Sequence, residues 1–288
     1  MPPRTTGRKA AGPRVQPRDT QLASGLLRVP AEHPRGVLLF CFFLSGATGL
    51  TYEVVWARRL TLTFGATVLA VSTVLAAFLG GLALGALIFG RIADRRRDPV
   101  RVYAALEGTI GLVCFLTPWL FGLVEHAYVS LHPSMAGNLW LERLLRFALS
   151  GAVLIVPTAL MGGTLPVLTR ALVRREGDIS GGVASLYGIN TLGAMVGAAG
   201  AGFLLLPILG LRGTVFQAAV LNLAVATMAF CVHSVRGEDF APPDKPDSVR
   251  VRRAAGVAGE PPIARGALWA LLVAYGFSGA AALIYEVA

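Results

Sequence analysis

The chain has 288 residues, a formal net charge of +10, 55% hydrophobic and 15% charged residues, and a mean hydropathy of +0.64. Water-soluble domains carry about 25% charged residues, so this balance argues against an ordinary soluble fold, and its apolar content excludes disorder over most of the length. The positive charges lie between long apolar runs, which argues against nucleic acid as their partner, and Cys41, Cys114 and Cys231 each lie inside such a run, indicating neither a disulfide framework nor a metal cluster.

The first 36 residues are rich in Pro, Gly and Arg and read as a disordered basic tail. A helix crossing the hydrocarbon core needs roughly 20 mostly apolar residues. The first such run, 37–56, ends in Tyr52-Glu53-Val-Val-Trp56. An ionisable group inside a span is costly and normally faces a partner or a water path. Glu53 has a plainer reading as well, as a carboxylate snorkelling to an interface near Arg58 or Arg59. The second run, 67–90, leads into Gly90-Arg-Ile-Ala-Asp94-Arg95, and the third, 102–124, contains Glu107 near its arginine-rich end, where a salt bridge to that loop is expected. The fourth, 144–169, holds Pro157, Gly162, Gly163 and Pro166, and its prolines predict a kink or break.

The fifth run, 183–211, carries Asn190 and a stripe of small residues from Gly193 to Gly202. Those glycines follow no strand, so close helix packing is expected rather than a dinucleotide loop, and Asn190 reads as interhelical glue or as part of a substrate or proton path. The sixth run is 213–233, after which 234–266 is a polar, Pro-rich linker and 267–288 a seventh span. None of the runs alternates as a transmembrane strand would, so the expected class is all-α and integral to a membrane.

With a cytoplasmic N-terminus, the tail and the connections after spans two, four and six hold 21 of the 26 Lys and Arg residues. That asymmetry follows the positive-inside rule and accounts for the net charge. It predicts a multi-pass protein of a bacterial cytoplasmic membrane, with the lipid bilayer as partner and no nucleic acid. No catalytic pair, metal cluster or cofactor motif is apparent within these residues.

A repeat sets the expected architecture. Positions 44–55 read Leu-Ser-Gly-Ala-Thr-Gly-Leu-Thr-Tyr-Glu-Val-Val, and 277–288 read Phe-Ser-Gly-Ala-Ala-Ala-Leu-Ile-Tyr-Glu-Val-Ala; seven of twelve match at an offset of 233. Tyr285 and Glu286 thus repeat Tyr52 and Glu53, and the seventh span looks like the first helix of a second copy that stops inside the motif, as in a fragment or truncated product. A six-helix unit at 37–233, a linker and a repeated first helix is the plan of the major facilitator superfamily. Gly90, Asp94 and Arg95 stand where that superfamily carries Gly-x-x-x-Asp-Arg-x-Gly-Arg, although Arg97 and Asp98 depart from its second half. A plainer reading of Arg95–Arg97 is topology anchoring.

Four segments then agree in order: Phe-Leu-Ser-Gly-Ala-Thr-Gly-Leu-Thr-Tyr-Glu-Val-Val-Trp-Ala-Arg from Phe43, Val-Ser-Thr-Val-Leu-Ala-Ala-Phe-Leu-Gly-Gly-Leu-Ala-Leu-Gly from Val71, Pro-Thr-Ala-Leu-Met-Gly-Gly-Thr-Leu-Pro from Pro157, and Leu-Tyr-Gly-Ile-Asn-Thr-Leu-Gly-Ala from Leu186. With them the chain resembles bacterial fused major-facilitator/spermidine-synthase proteins. The resemblance implies a membrane region preceding a cytoplasmic aminopropyltransferase-like domain of Rossmann-like fold, which would transfer an aminopropyl group from decarboxylated S-adenosylmethionine to putrescine. The polar segments here are too short and too basic to supply that domain. The resemblance therefore implies a membrane region linked to polyamine biosynthesis or transport, partnered by a second six-helix half or by a synthase domain. A half-transporter for a small polar or cationic metabolite and a passive anchor for the enzyme stay open beside it.

Overall fold

The computed structural model describes residues 34–64, 68–135, 138–173 and 179–236, together with 240, 266, 269, 270, 273 and 274. Among the described residues the elements are helical and no strand occurs. The helices are α1 (Pro34–Phe64), α2 (Val68–Arg95), α3 (Pro99–Leu131), α4 (Leu139–Leu172), α5 (Ile179–Gly200) and α6 (Leu206–Arg236), with a 3-10 turn at His132–Met135 and a π turn at Ala201–Leu205. Tyr285, Glu286 and most of the predicted seventh span lie outside the described residues.

Local sequence explains the ends. Pro99 opens α3 directly after Asp98, a place where its missing N–H costs nothing because first-turn donors have no helical acceptor. Asn138 caps α4, its side chain accepting from the Leu141 N–H at 3.2 Å. The helices run longer than the apolar runs that announce them, α3 spanning 33 and α4 34 residues, because polar and aromatic residues at their ends continue the backbone ladder. α4 continues through both Pro157 and Pro166, so the break expected there is not a chain break.

Five stretches are long and apolar enough to cross a membrane: Pro34–Thr63, Val74–Arg95, Pro99–Leu131, Leu139–Leu172 and Gly181–Val235. The last has 55 residues, which as a straight rod would reach roughly 80 Å. It is interrupted at Gly210, whose φ of 66° and ψ of −178° lie in a region essentially closed to side chains. Ahead of that break the π turn places the Leu206 N–H on the Ala201 carbonyl, next to Pro207, which has no N–H to donate.

Glycine contacts fix how the legs run. A Cβ at Gly193 would strike the Phe43 carbonyl and one at Gly197 the Ala47 carbonyl, so α5 runs parallel to α1. Gly81 lies against Thr158 and Gly163 against Phe89, so α2 and α4 are parallel. Gly108 faces Ala226 while Gly111 faces Ala219 and Leu223, so α3 and α6 are antiparallel. α1 and α3 are parallel, with Phe42 beside Tyr103, Trp56 on Thr117 and Arg59 on Glu125, so α6 runs against α5 and Gly210 reverses the chain. The main pairings are α1 with α5 and α6, α4 with α2 and α3, and α3 with α6. Exchanging the first three helices for the last three maps this set onto itself.

The outward faces are apolar: Leu87, Leu123, Ile208 and Phe203 are exposed, the last at 89%. Charge gathers at the ends. Arg59 pairs with Glu125 at 2.8 Å, and Arg143 and Arg146 lie over the rings of Trp140 and Tyr128.

Candidate functional site

Two apolar clusters fill the bundle, one at each end. The first gathers Leu38, Cys41, Phe42, Tyr103, Val167, Leu168, Val225 and Ala229; the second gathers Tyr52, Trp56, Ile110, Cys114, Leu154, Val215 and Ala218. Between these clusters several buried or half-buried side chains are polar. On α1 they are Ser45, Thr48 and Thr51, on α3 Glu107, on α4 Thr158 and Thr164, and on α6 Asn222. A polar layer thus crosses the middle of an otherwise apolar bundle.

Glu107 is its centre. The side chain has no exposed surface and lies about two turns into α3. Asn222 donates from Nδ2 to Glu107 Oε2 at 2.6 Å, and the Tyr52 hydroxyl donates to Asn222 Oδ1 at 2.9 Å. The tyrosine fixes the amide's orientation, because its proton requires the amide oxygen on its own side, leaving the amide N–H for the carboxyl. Among the described residues Glu107 Oε1 and the buried Tyr103 hydroxyl have no hydrogen-bond partner.

The layer connects towards the second cluster. Tyr52 stacks on Trp56 with centroids 5.3 Å apart, Trp56 donates from Nε1 to Thr117 Oγ1 at 3.3 Å, and Thr117 in turn donates to the Cys114 carbonyl at 2.7 Å. Trp56 and Thr117 also line a cavity of about 40 Å³ with Val55, Arg59 and Arg212. At roughly 10–15 Å³ per water in this measure, it holds a few waters and nothing larger.

The residues singled out from sequence fall in different places. Tyr52 belongs to the buried hydrogen-bonded chain; Glu53, rotated by one helical position, is half-buried beside it. Asn190 lies on α5, where its carbonyl and side-chain oxygens crowd the space a Cβ at Gly46 would need, a packing contact between α1 and α5. A Cβ at Gly90 would meet Pro166, and Asp94 and Arg95 are exposed at the end of α2. Pro157 is buried within α4. The salt bridge expected between Glu107 and the arginine-rich loop is replaced by the bond to Asn222, because Glu107 points into the α1–α3–α6 interface. Asn222 was not anticipated; its signal was a carboxamide in mid-run on the sixth span. Among the described residues no group of three or more His, Cys, Asp or Glu side chains could hold a metal ion.

Comparison with known proteins finds relatives of one kind. The chain is 28% identical over 197 residues to polyamine aminopropyltransferase 1 of Streptomyces coelicolor, covering 66% of this chain and 34% of the relative. It is 31% identical over 179 residues to polyamine aminopropyltransferase 2 of the same organism, covering 61% and 30% respectively. To the polyamine aminopropyltransferase of Corynebacterium efficiens it is 28% identical over 213 residues, covering 72% and 38%. The chain spans about a third of the length of the curated relatives it matches. No protein-family model and no solved structure matches it.

Proposed function

We propose that the chain is the membrane region of a polyamine aminopropyltransferase-like protein, a helical bundle of the major-facilitator type that seats an aminopropyl-transferring domain at the cytoplasmic face of a bacterial inner membrane. The observation that carries this reading is the similarity, over 61–72% of the chain, to proteins named polyamine aminopropyltransferase. The apolar outer surface suits lipid, since removing that much hydrocarbon from water is the dominant favourable term available to it. The exchange symmetry of the helix pairings suits a facilitator-like half, in which two three-helix units are inverted repeats. A Rossmann-like transferase needs strands, and the described residues have none; the chemistry is assigned here to a domain these helices would seat.

The test is deletion, in the native host, of the segment encoding this chain, with membrane and soluble fractions assayed for aminopropyl transfer from decarboxylated S-adenosylmethionine to putrescine. Loss of the activity, or its move into the soluble fraction, supports the proposal. Membrane-bound activity and spermidine pools that do not change contradict it. A transport reading is favoured by one feature, the carboxyl-centred polar layer in mid-bundle. Polyamine uptake into vesicles carrying the undeleted protein, measured against vesicles without it, decides that reading.

A further inference from the structure

We propose that the turn between α2 and α3 is a binding site for the phosphate of an acidic phospholipid, with the lipid's acyl chain lying along the outer face of α3; the site presupposes the membrane placement proposed above. A cavity of about 580 Å³ opens at this turn, within the roughly 300–1,000 Å³ usual for small-molecule sites. Four arginines line it: Arg95 at the end of α2, Arg96 and Arg97 in the turn, and Arg101 in the first turn of α3. They stand against one carboxylate, Asp98. Among the described residues Arg95, Arg96 and Arg101 enter no ion pair. The positive end of the α3 peptide dipoles adds to the same field. Such a field repels a polyamine and attracts an anion, and guanidinium groups match the oxygens of a phosphate in particular.

The floor of the cavity separates a lipid from a free phosphate. It consists of Val102 and Ala105. Beyond Ala105 the exposed face of α3 continues through Thr109, Leu112 and Leu116, at the spacing of three and four residues that keeps side chains on one side of a helix. Thr109 turns its hydroxyl back on the Ala105 carbonyl at 2.8 Å, so the polar group is spent within the helix. The rise from Ala105 to Leu116 is about 16 Å, half of the roughly 30 Å hydrocarbon thickness. An acyl chain of one leaflet therefore fits along this face while its phosphate sits among the arginines. A water-soluble phosphate would use the arginines alone and leave the apolar floor wet. A choline headgroup would bring its own cation into the same field. Arginines that served only to anchor topology would need neither the cavity nor the apolar stripe that continues it.

The experiment is native mass spectrometry of the purified, delipidated full chain in detergent. It is titrated separately with phosphatidylglycerol, with phosphatidylcholine of the same acyl chains, and with glycerol 3-phosphate. The variants are R96Q/R101Q and, with the same loss of charge at the opposite end of the bundle, R58Q/R143Q. All four side chains are exposed, so both variants keep the packed bundle. At about fivefold per arginine beside an acidic lipid, R96Q/R101Q should weaken phosphatidylglycerol binding roughly 25-fold. Phosphatidylglycerol held about tenfold or more tighter than phosphatidylcholine, with that weakening in R96Q/R101Q and not in R58Q/R143Q, supports the proposal. Equal binding of the two lipids, or an equal loss in both variants, overturns it. Glycerol 3-phosphate bound as tightly as phosphatidylglycerol overturns the lipid assignment in favour of a soluble phosphate. Vesicle flotation keeps the membrane placement separate. A chain that enters vesicles yet shows no lipid preference overturns the site alone, whereas one left in the aqueous phase overturns the placement and the site with it.

Discussion

Replacing Asn222 with alanine removes both bonds that tie α3 to α1 through α6. The carboxamide donates to Glu107 at 2.6 Å and accepts from Tyr52 at 2.9 Å, and all three side chains are essentially without exposed surface. Each abandoned partner is a buried polar group, and leaving one unsatisfied costs about 1–3 kcal/mol in proteins generally. Hydrogen bonds between helices in lipid are worth less, averaging about 0.6 kcal/mol, because the separated helices find other partners. Two bonds, one of them to a carboxyl, give about 2–4 kcal/mol, or roughly a thirty-fold to thousand-fold rise in the unfolding equilibrium constant. Tyr52→Phe removes only the hydroxyl and keeps the ring stacked on Trp56, so its cost is about 1 kcal/mol. Both are read from denaturant-induced unfolding in mixed micelles, followed by tryptophan fluorescence. Asn222→Ala within about 0.5 kcal/mol of the parent, or Tyr52→Phe costing more than Asn222→Ala, would refute the arrangement.

Close helix approach predicts a contrast among glycines. A Cβ at Gly85 would run into the Ala159 carbonyl and one at Gly197 into the Ala47 carbonyl, both backbone atoms that yield only if helices separate. Gly85→Val and Gly197→Val should each cost about 3 kcal/mol, the upper end for overpacking, in the same unfolding assay. Gly188 has open space around its missing side chain within α5, so Gly188→Ala should gain about 0.5–1 kcal/mol. Gly210→Ala meets no neighbour but must hold φ at 66°, and should cost about 1–3 kcal/mol through backbone strain alone. A neutral Gly210→Ala would mean that the reversal lies elsewhere.

The existence of the helices was legible because runs of twenty apolar residues with charges only between them permit little else. Their ends were less so: the run at 37–56 became Pro34–Phe64, since Arg58, Arg59 and the threonines beyond them extend the helix without adding hydropathy. The two final apolar runs, separated at 212 on paper, meet at Gly210, where one positive φ replaces a loop. At the polar layer, the repeated Tyr-Glu pair drew attention to α1 but to its charge. The fold turns Tyr52 inward and leaves Glu53 half-buried, a consequence of the 100° between neighbours on a helix that composition does not reveal. The pairing of Glu107 with Asn222 joins residues 115 positions apart and depends on the register of α3 against α6, which no local pattern encodes.

In the proposed placement the apolar outer faces meet lipid. With Cys41, Cys114 and Cys231 replaced by alanine, spin labels at Leu123→Cys and Phe203→Cys report whether oxygen or a water-soluble nickel complex reaches each position in reconstituted vesicles, with Arg97→Cys as the exposed polar reference. Labels at 123 and 203 that are relaxed by oxygen and shielded from nickel, with the opposite at 97, are the predicted result. Nickel access at 123 and 203 equal to that at 97 would contradict the account.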